Sequence, residues 1–359
     1  MKAIIPTGGR GTRMQPLTFS TNKHFIPIAN KPLIFYPIEA IAEVGIKNVL
    51  ITYNLGWLDA VKNLLGDGSK WGLKFKYVLQ KEPKGLANVV EVCEDELHGE
   101  EFVFHLGDNI FTEGIVDLYK YFMKEKPNGL VAMVEHPENW RLGVPYFDKG
   151  GNLLKIVEKP KNPPHKFAMP GIYFADSNFF KTFRGKDKVK PSSRGEYEIP
   201  DPFTWMINHG YKVLVKEYKG KWLDPGKFGD WIASNKYLLE HKLEGEILSK
   251  VDKTSKIKGK VVIGNGCKIT KSFLKGPLII GDNVVISKSI IGPYISIGSN
   301  CIIKGCKIEN GVLMEDVKVK NIKRPIIGSL IGSSSDIEDN NKYKRSVSLF
   351  VAEKSQVRI

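Results

Sequence analysis

An isoleucine recurs at every sixth position in much of the chain beyond residue 250. Ile257, Ile263 and Ile269 are spaced so, as are Ile280 and Ile286, then Ile291, Ile297 and Ile303, then Ile331 and Ile337. Glycine often follows, as in Ile263-Gly264, Ile280-Gly281, Ile291-Gly292, Ile297-Gly298 and Ile331-Gly332. One inward aliphatic residue per six predicts a hexapeptide parallel β-helix, with the isoleucines stacked in ladders. The interruptions near 270–279 and 304–325 read as loops or irregular corners. The polar stretch 238–250 reads as a helical connector.

The residues before it follow another rule. Lys2-Ala3-Ile4-Ile5 reads as a buried first strand, followed by the glycine loop Pro6-Thr7-Gly8-Gly9-Arg10-Gly11-Thr12-Arg13. Helices are predicted over 32–44, 57–65, 85–97 and 115–124. Strands are predicted over 48–53, 74–79, 102–106 and 130–134. Repeated β-α-β with continuous apolar strands predicts an α/β fold with a doubly wound, mostly parallel sheet. Ligands of such sheets sit beyond the carboxyl ends of the strands. The glycine loop and Gly107-Asp108-Asn109 both follow strands, which assigns them to one rim.

Composition narrows the function. The 359 residues suffice for two domains, and 42% hydrophobic with 26% charged residues describe a globular chain. No apolar run approaches the ~18 residues of a membrane span, and the N-terminus lacks the apolar core of a signal peptide. The 4 cysteines, Cys93, Cys267, Cys301 and Cys306, form no C-x-x-C pair, which suits a reducing cytoplasm and free thiols. The formal net charge is +15, and residues 241–359 contribute 21 basic against 11 acidic side chains. These lysines are dispersed among Ile, Val and Gly, so a solvated basic surface is expected and not a nucleic-acid patch. Anionic small-molecule substrates would also draw on a positive field.

The glycine loop fails two familiar templates. No Gly-Lys-Ser/Thr follows Gly8, as a P-loop requires, and a dinucleotide fingerprint read from Gly9 meets Met14 where its third glycine belongs. Its glycines still leave backbone N–H groups open to phosphate oxygens, with Arg13 and Lys23 supplying fixed charge.

Taken with Lys23, Phe25 to Leu33, Gln80, Gly85-Leu86-Ala87, Leu106 to Asn109, Arg141 to Val144, Glu158-Lys159-Pro160, Gly171 to Phe174, Arg194 to Ile199 and Trp222 to Gly226, the chain resembles the sugar-1-phosphate nucleotidyltransferases. The resemblance covers nearly the whole chain and is to the long form, which ends in a left-handed β-helix. It implies a Rossmann-like nucleotidyltransferase domain over 1–240, a connector at 241–250, the β-helix at 251–345 and a tail at 346–359. It further implies transfer of a nucleotidyl group from a nucleoside triphosphate, dTTP first and UTP as the alternative, to a sugar 1-phosphate, glucose 1-phosphate first.

In that reaction a sugar-phosphate oxygen attacks the α-phosphorus and pyrophosphate leaves in line. A phosphate monoester is largely dianionic at pH 7, its second pKa being about 6, so no general base is required. The resemblance assigns the triphosphate to Gly8, Gly9, Gly11, Thr12, Arg13 and Lys23, and Mg²⁺ to Asp108 and Asp224. It assigns the base to Gln80 and Gly85, the sugar phosphate to Lys159, and the sugar to Glu158, Gly143, Tyr173 and Asn109. Arg13, Lys23, Lys159 and Asp108 are the expected catalytic set. A glutamine amide matches thymine, uracil or adenine, so the residue alone leaves the base open.

Thr7 is expected to place a hydroxyl beside the base or ribose. Asp224-Pro225-Gly226 stands where relatives carry Asp-Thr-Gly, and Arg141-Leu142-Gly143 has leucine where relatives carry an aromatic residue. Two other readings are a non-catalytic nucleotide-sugar-binding subunit and a β-helix acyltransferase. The first sits poorly with the presence of Arg13, Lys23, Asp108 and Asp224. The second lacks a histidine base in the coils, the last histidine being His241. The β-helix is therefore expected to serve homo-oligomerisation or regulation in a cytoplasmic enzyme.

Overall fold

A computed structural model describes residues 1–9 and 11–339. Arg10 and the tail expected at 346–359 lie outside the described residues. The chain divides into two compact units. The first comprises Met1–Gly9 with Ile34–Leu223, and the second takes in the described residues of 10–33 and 224–359.

The first unit is built on an eight-stranded sheet. Its order runs Phe167–Ala168, Gly129–Glu135, Ile172–Ala175, Phe102–His105, Lys2–Pro6, Asn48–Asn54, Lys74–Gln80, with Val213–Glu217 also paired to Gly129–Glu135. The central strands are parallel: Ala3 pairs with Val49 and with Val103, and Asn48 with Lys74. Ile172–Ala175 runs antiparallel between two neighbours, which makes the sheet mixed but mostly parallel. Every residue of Phe102–His105 is buried, as a parallel strand covered on both faces requires. Phe104, Tyr173 and Phe203 stack in series, and Phe102 meets Phe179 edge to face.

The helix expected over 85–97 is two, Leu86–Glu91 and Glu94–Leu97. The helix expected from Pro32 begins at Phe35, because Lys31–Pro32 pairs as a strand with Pro27–Ile28.

The second unit carries three sheets of parallel strands, six, five and five strands deep, the arrangement of a left-handed β-helix. Ile263, Ile269, Ile280, Ile286, Ile291, Ile297 and Ile303 form its interior, each at most 2% exposed. The stretches read as irregular, 270–279 and 304–325, are largely regular coil. They contain Phe273–Lys275, Leu278–Ile280, Lys307–Glu309, Gly311–Leu313 and Lys318–Lys320. Two facts hid them. Leu274, Leu278, Val312 and Val319 take inward or buried places in these stretches. The coil also does not keep strictly to eighteen residues: Val261 pairs with Leu278, Leu278 with Ile295, and Ile295 with Gly311. The expected helical connector is helical only as far as His241, where Phe228–His241 ends, and Glu246–Ile247 already pairs with Val262 and Ile263.

Candidate active site

In the first unit, Lys2–Pro6 and Phe102–His105 are parallel neighbours, so Thr7-Gly8-Gly9 and Gly107-Asp108-Asn109 leave the same sheet rim. The glycine loop is fixed by a residue the sequence reading missed. Asn54, last of its strand, accepts from Gly9 N at 3.1 Å through Oδ1. A Cβ on Gly8 would stand 2.6 Å from that same oxygen, so only glycine permits the approach. The Asn54 Nδ2 donates to the Gln80 carbonyl at 3.3 Å and to Gln80 Oε1 at 3.4 Å. Gln80 Nε2 donates to Asn88 Oδ1 at 3.1 Å, and Asn88 in turn to Glu91 at 2.9 Å. A chain of amides thus runs from the glycine loop through Gln80 to helix Leu86–Glu91. Gln80 also reaches Gly85 O at 3.5 Å. Gly85 has φ +102, and a Cβ there would meet Tyr197 O at 2.5 Å, so this position too demands glycine.

The Thr7 hydroxyl was expected beside base or ribose. It is 1% exposed and donates to Thr52 O at 2.8 Å, which turns it into the sheet.

Asp108 is oriented by its neighbour. Asn109 Nδ2 donates to Asp108 Oδ1 at 2.9 Å, while Asn109 Oδ1 accepts from Trp222 Nε1 at 2.8 Å and from Gly171 N at 3.2 Å. Asn109, 2% exposed, is therefore turned inward to protein partners and away from the sugar role expected for its side chain. His105 lies beneath this loop, fully buried against Phe111. Burial pushes its pKa down to about 4, against the opposing pull of the Leu106 carbonyl and Asp108, so the ring is neutral at pH 7.

Glu158 and Lys159 close the strand Leu153–Glu158. They pair at 3.0 Å, and Glu158 also meets Arg194 at 3.6 Å, which in turn binds Glu198 at 2.6 Å. Lys159 adopts φ +48, and its N–H donates to Leu142 O at 3.0 Å. A Cβ on Gly143 would stand 3.4 Å from Glu158 Oε2, which joins Gly143 to this cluster. Asp201 belongs to it electrostatically: burial, then Glu198 and Glu158, raise its pKa to about 6. The Tyr173 ring packs in the core, 4% exposed, and burial followed by the nearby Glu158 charge raises its pKa. Arg194 and Glu198 lie in a motif the sequence reading quoted, but it gave them no role.

The second unit holds Arg13, Lys23 and Asp224. Gly11, φ +56, opens the short turn Thr12–Met14, and Thr18 Oγ1 donates to its carbonyl at 2.8 Å. Met14 is fully buried and anchors that turn, leaving Arg13 exposed. Asn22 caps the next turn, Lys23–Phe25, by accepting from His24 N. Asp224 is exposed ahead of the buried pair Pro225-Gly226. A Cβ on Gly226 would stand 3.4 Å from Arg13 Nη1, so the guanidinium lies against the Asp224-Pro225-Gly226 turn. The carboxylate is retained despite the Asp-Pro-Gly departure.

Asp108 in the first unit and Asp224 in the second each offer only hard carboxylate oxygens, the donor type that Mg²⁺ takes. Among the described residues no group of three or more His, Cys, Asp or Glu could hold a metal ion by itself. No helix of the described residues is long and apolar enough to cross a membrane.

The first unit is thus a mixed, mostly parallel α/β sheet with a glycine-loop rim, and the second carries parallel β-helix coils. The profile of the family described as Nucleotidyl transferase matches residues 2–241, and the chain belongs to that family. It is 34% identical to a glucose-1-phosphate thymidylyltransferase of Streptomyces antibioticus, covering 100% of this chain and 99% of the relative. A low-salt glycan biosynthesis nucleotidyltransferase of Haloferax volcanii is 34% identical over 67% of each chain. A solved chain from Bacillus anthracis, provisionally assigned as a glucose-1-phosphate thymidylyltransferase and crystallised with sucrose, superimposes with TM-score 0.62 at 32% identity. That match covers 68% of this chain and 98% of the other.

Proposed function

We propose that the protein transfers a thymidylyl group from dTTP to glucose 1-phosphate, giving dTDP-glucose and pyrophosphate. The observation that carries this reading is the amide chain from Gly9 through Asn54 to Gln80. It ties a loop fit for phosphate to a side chain fit for a base, on one sheet rim. Full-length similarity to a glucose-1-phosphate thymidylyltransferase supports the choice of substrates.

Gly8, Gly11 and Thr12 present backbone to the triphosphate, and Gly9, its N–H held by Asn54, fixes the loop that does so. Arg13 and Lys23 neutralise it and the departing pyrophosphate. Gln80 reads the base, with its 3.5 Å bond to Gly85 the one a base would replace. Lys159 binds the sugar phosphate, and Glu158, held by Lys159 and Arg194, accepts from sugar hydroxyls. Asn109 and Tyr173 support this pocket, Asn109 by orienting Asp108. Asp108 and Asp224 are the carboxylates that would hold Mg²⁺, which would supply charge neutralisation to the phosphates. The nucleophile arrives deprotonated, so the residues align and neutralise and remove no proton. The β-helix serves assembly or regulation, and the enzyme works in the cytoplasm.

The test is a grid of dTTP, UTP, ATP, CTP and GTP against glucose, galactose, mannose and N-acetylglucosamine 1-phosphates, scored by pyrophosphate release with Mg²⁺. The dTTP and glucose 1-phosphate pair should give the highest kcat/KM. Preference for UTP would change the substrate and keep the reaction; no release with any pair would refute the reading.

A further inference from the structure

We infer that Asn235 is a positioning residue for the segment bearing Arg13 and Lys23, and that the β-helix supports triphosphate binding through it. This rests on the reading that Arg13 and Lys23 hold the triphosphate.

The segment ends in a hairpin, Pro27–Ile28 paired with Lys31–Pro32, that follows directly on the Lys23–Phe25 turn. Its tip, Ala29-Asn30, has φ +49 and +58, two left-handed residues in succession as a two-residue hairpin loop demands. Ile26 and Ile28 are fully buried, so movement of the tip is passed on to the turn. Three hydrogen bonds fix this hairpin to other parts of the second unit. Ala29 N donates to Asn235 Oδ1 at 2.9 Å, Asn30 Nδ2 to Ile297 O at 2.6 Å, and Trp231 Nε1 to Pro27 O at 2.9 Å.

Asn235 is the junction. It lies on helix Phe228–His241 and is fully buried. Its Oδ1 accepts from Ser296 Oγ at 2.7 Å as well as from Ala29, and its Nδ2 donates to Gly311 O at 3.3 Å. Ser296 and Gly311 are successive rungs of one β-helix sheet, Ile295 pairing with Gly311. One buried amide therefore joins the hairpin tip to two coils. Replacing it by alanine leaves the half-buried Ala29 N and the buried Ser296 Oγ and Gly311 O without this partner, which the fold relieves most readily by releasing the hairpin. An isoleucine ladder alone could close the β-helix there; the buried amide is what aims it at the substrate segment.

The test uses the full-length protein with Asn235→Ala, and with Asn30→Gly as the gentler variant. Glycine keeps the left-handed φ of residue 30 and removes only the bond to Ile297. The expected result for Asn235→Ala is a rise of fivefold or more in KM for dTTP, with KM for glucose 1-phosphate unchanged within twofold. Asn30→Gly should raise KM for dTTP about threefold. The Ala29 amide should exchange with deuterium faster in Asn235→Ala. A role confined to stability would lower the melting temperature and leave the two KM values in their original ratio, and that outcome overturns the inference. An inactive parent chain counts against the proposed function. Faster exchange at Ala29 with unchanged KM for dTTP in an active enzyme counts against Asn235 alone.

Discussion

The Asn54 side chain donates to Gln80 at both its backbone carbonyl and its Oε1, 3.3 and 3.4 Å, while its own Oδ1 holds Gly9 N. The side chain proposed to read the base and the loop proposed to meet the phosphates are thus set by one amide. Asn54→Ala should remove both restraints. At about 1 kcal/mol per hydrogen bond, KM for dTTP should rise roughly five- to thirtyfold, with kcat falling less. Steady-state kinetics measure this, and an unchanged KM would show that the loop holds its place without Asn54.

Asp108→Asn preserves the size of the side chain and removes the charge. Turnover should fall by three orders of magnitude or more, while the thermal unfolding midpoint moves by no more than a few degrees. Chelation with EDTA should stop the parent enzyme, and excess Mg²⁺ should restore it. Near-normal turnover in Asp108→Asn would remove Asp108 from the metal site.

Arg194 holds Glu158 at 3.6 Å and Glu198 at 2.6 Å, and it is itself 42% exposed. Exposed ion pairs contribute little, so the effect of Arg194→Ala should be modest. A two- to fivefold rise in KM for glucose 1-phosphate is expected with KM for dTTP unchanged. An equal rise in both would mean that Arg194 supports the domain and not the sugar.

The pKa of Asp201 is shifted in the direction opposite to that of the other shifted carboxylates. Its folded pKa is raised to about 6, first by burial and then by Glu198 and Glu158. The folded form therefore favours the protonated group. That stabilisation is complete below the unfolded value near 3.9 and is lost as pH rises through about 6. Asp201 is only half-buried, so water screens the effect, and Asp201→Asn should be more stable than the parent by about 1 kcal/mol at pH 7.5, with the gap narrowing toward pH 4. Urea melts across this range measure it; a gap independent of pH would show that Asp201 is not charged at the cluster's expense.

Much of the fold was legible because its patterns are strong. The 102–106 run is apolar but for His105, the composition a strand buried on both faces favours. The isoleucine period announced the β-helix. It failed at Leu274, Val312 and Val319 because an inward position needs an aliphatic side chain, not isoleucine, and because coils of sixteen and seventeen residues slip a six-residue count. The candidate site could be proposed from the sequence where chemistry forces a residue type, as at Asp108 and Arg13. It was not legible where a residue serves another. Asn54 carries no motif, Thr7 looks like a ligand group until its hydrogen-bond partner Thr52 is known, and Asn109 points inward to Trp222, 113 residues away. Asn235 is hidden for the same reason, since its partners Ala29, Ser296 and Gly311 are remote in sequence.

The central claim is that this chain joins a nucleoside monophosphate unit to a sugar 1-phosphate. Incubation with [α-³²P]dTTP, glucose 1-phosphate and Mg²⁺ tests it most directly. The label should appear in a nucleotide sugar, in amounts equal to the unlabelled pyrophosphate released. Label that remains in dTTP, or that passes only to free thymidine monophosphate, would contradict it.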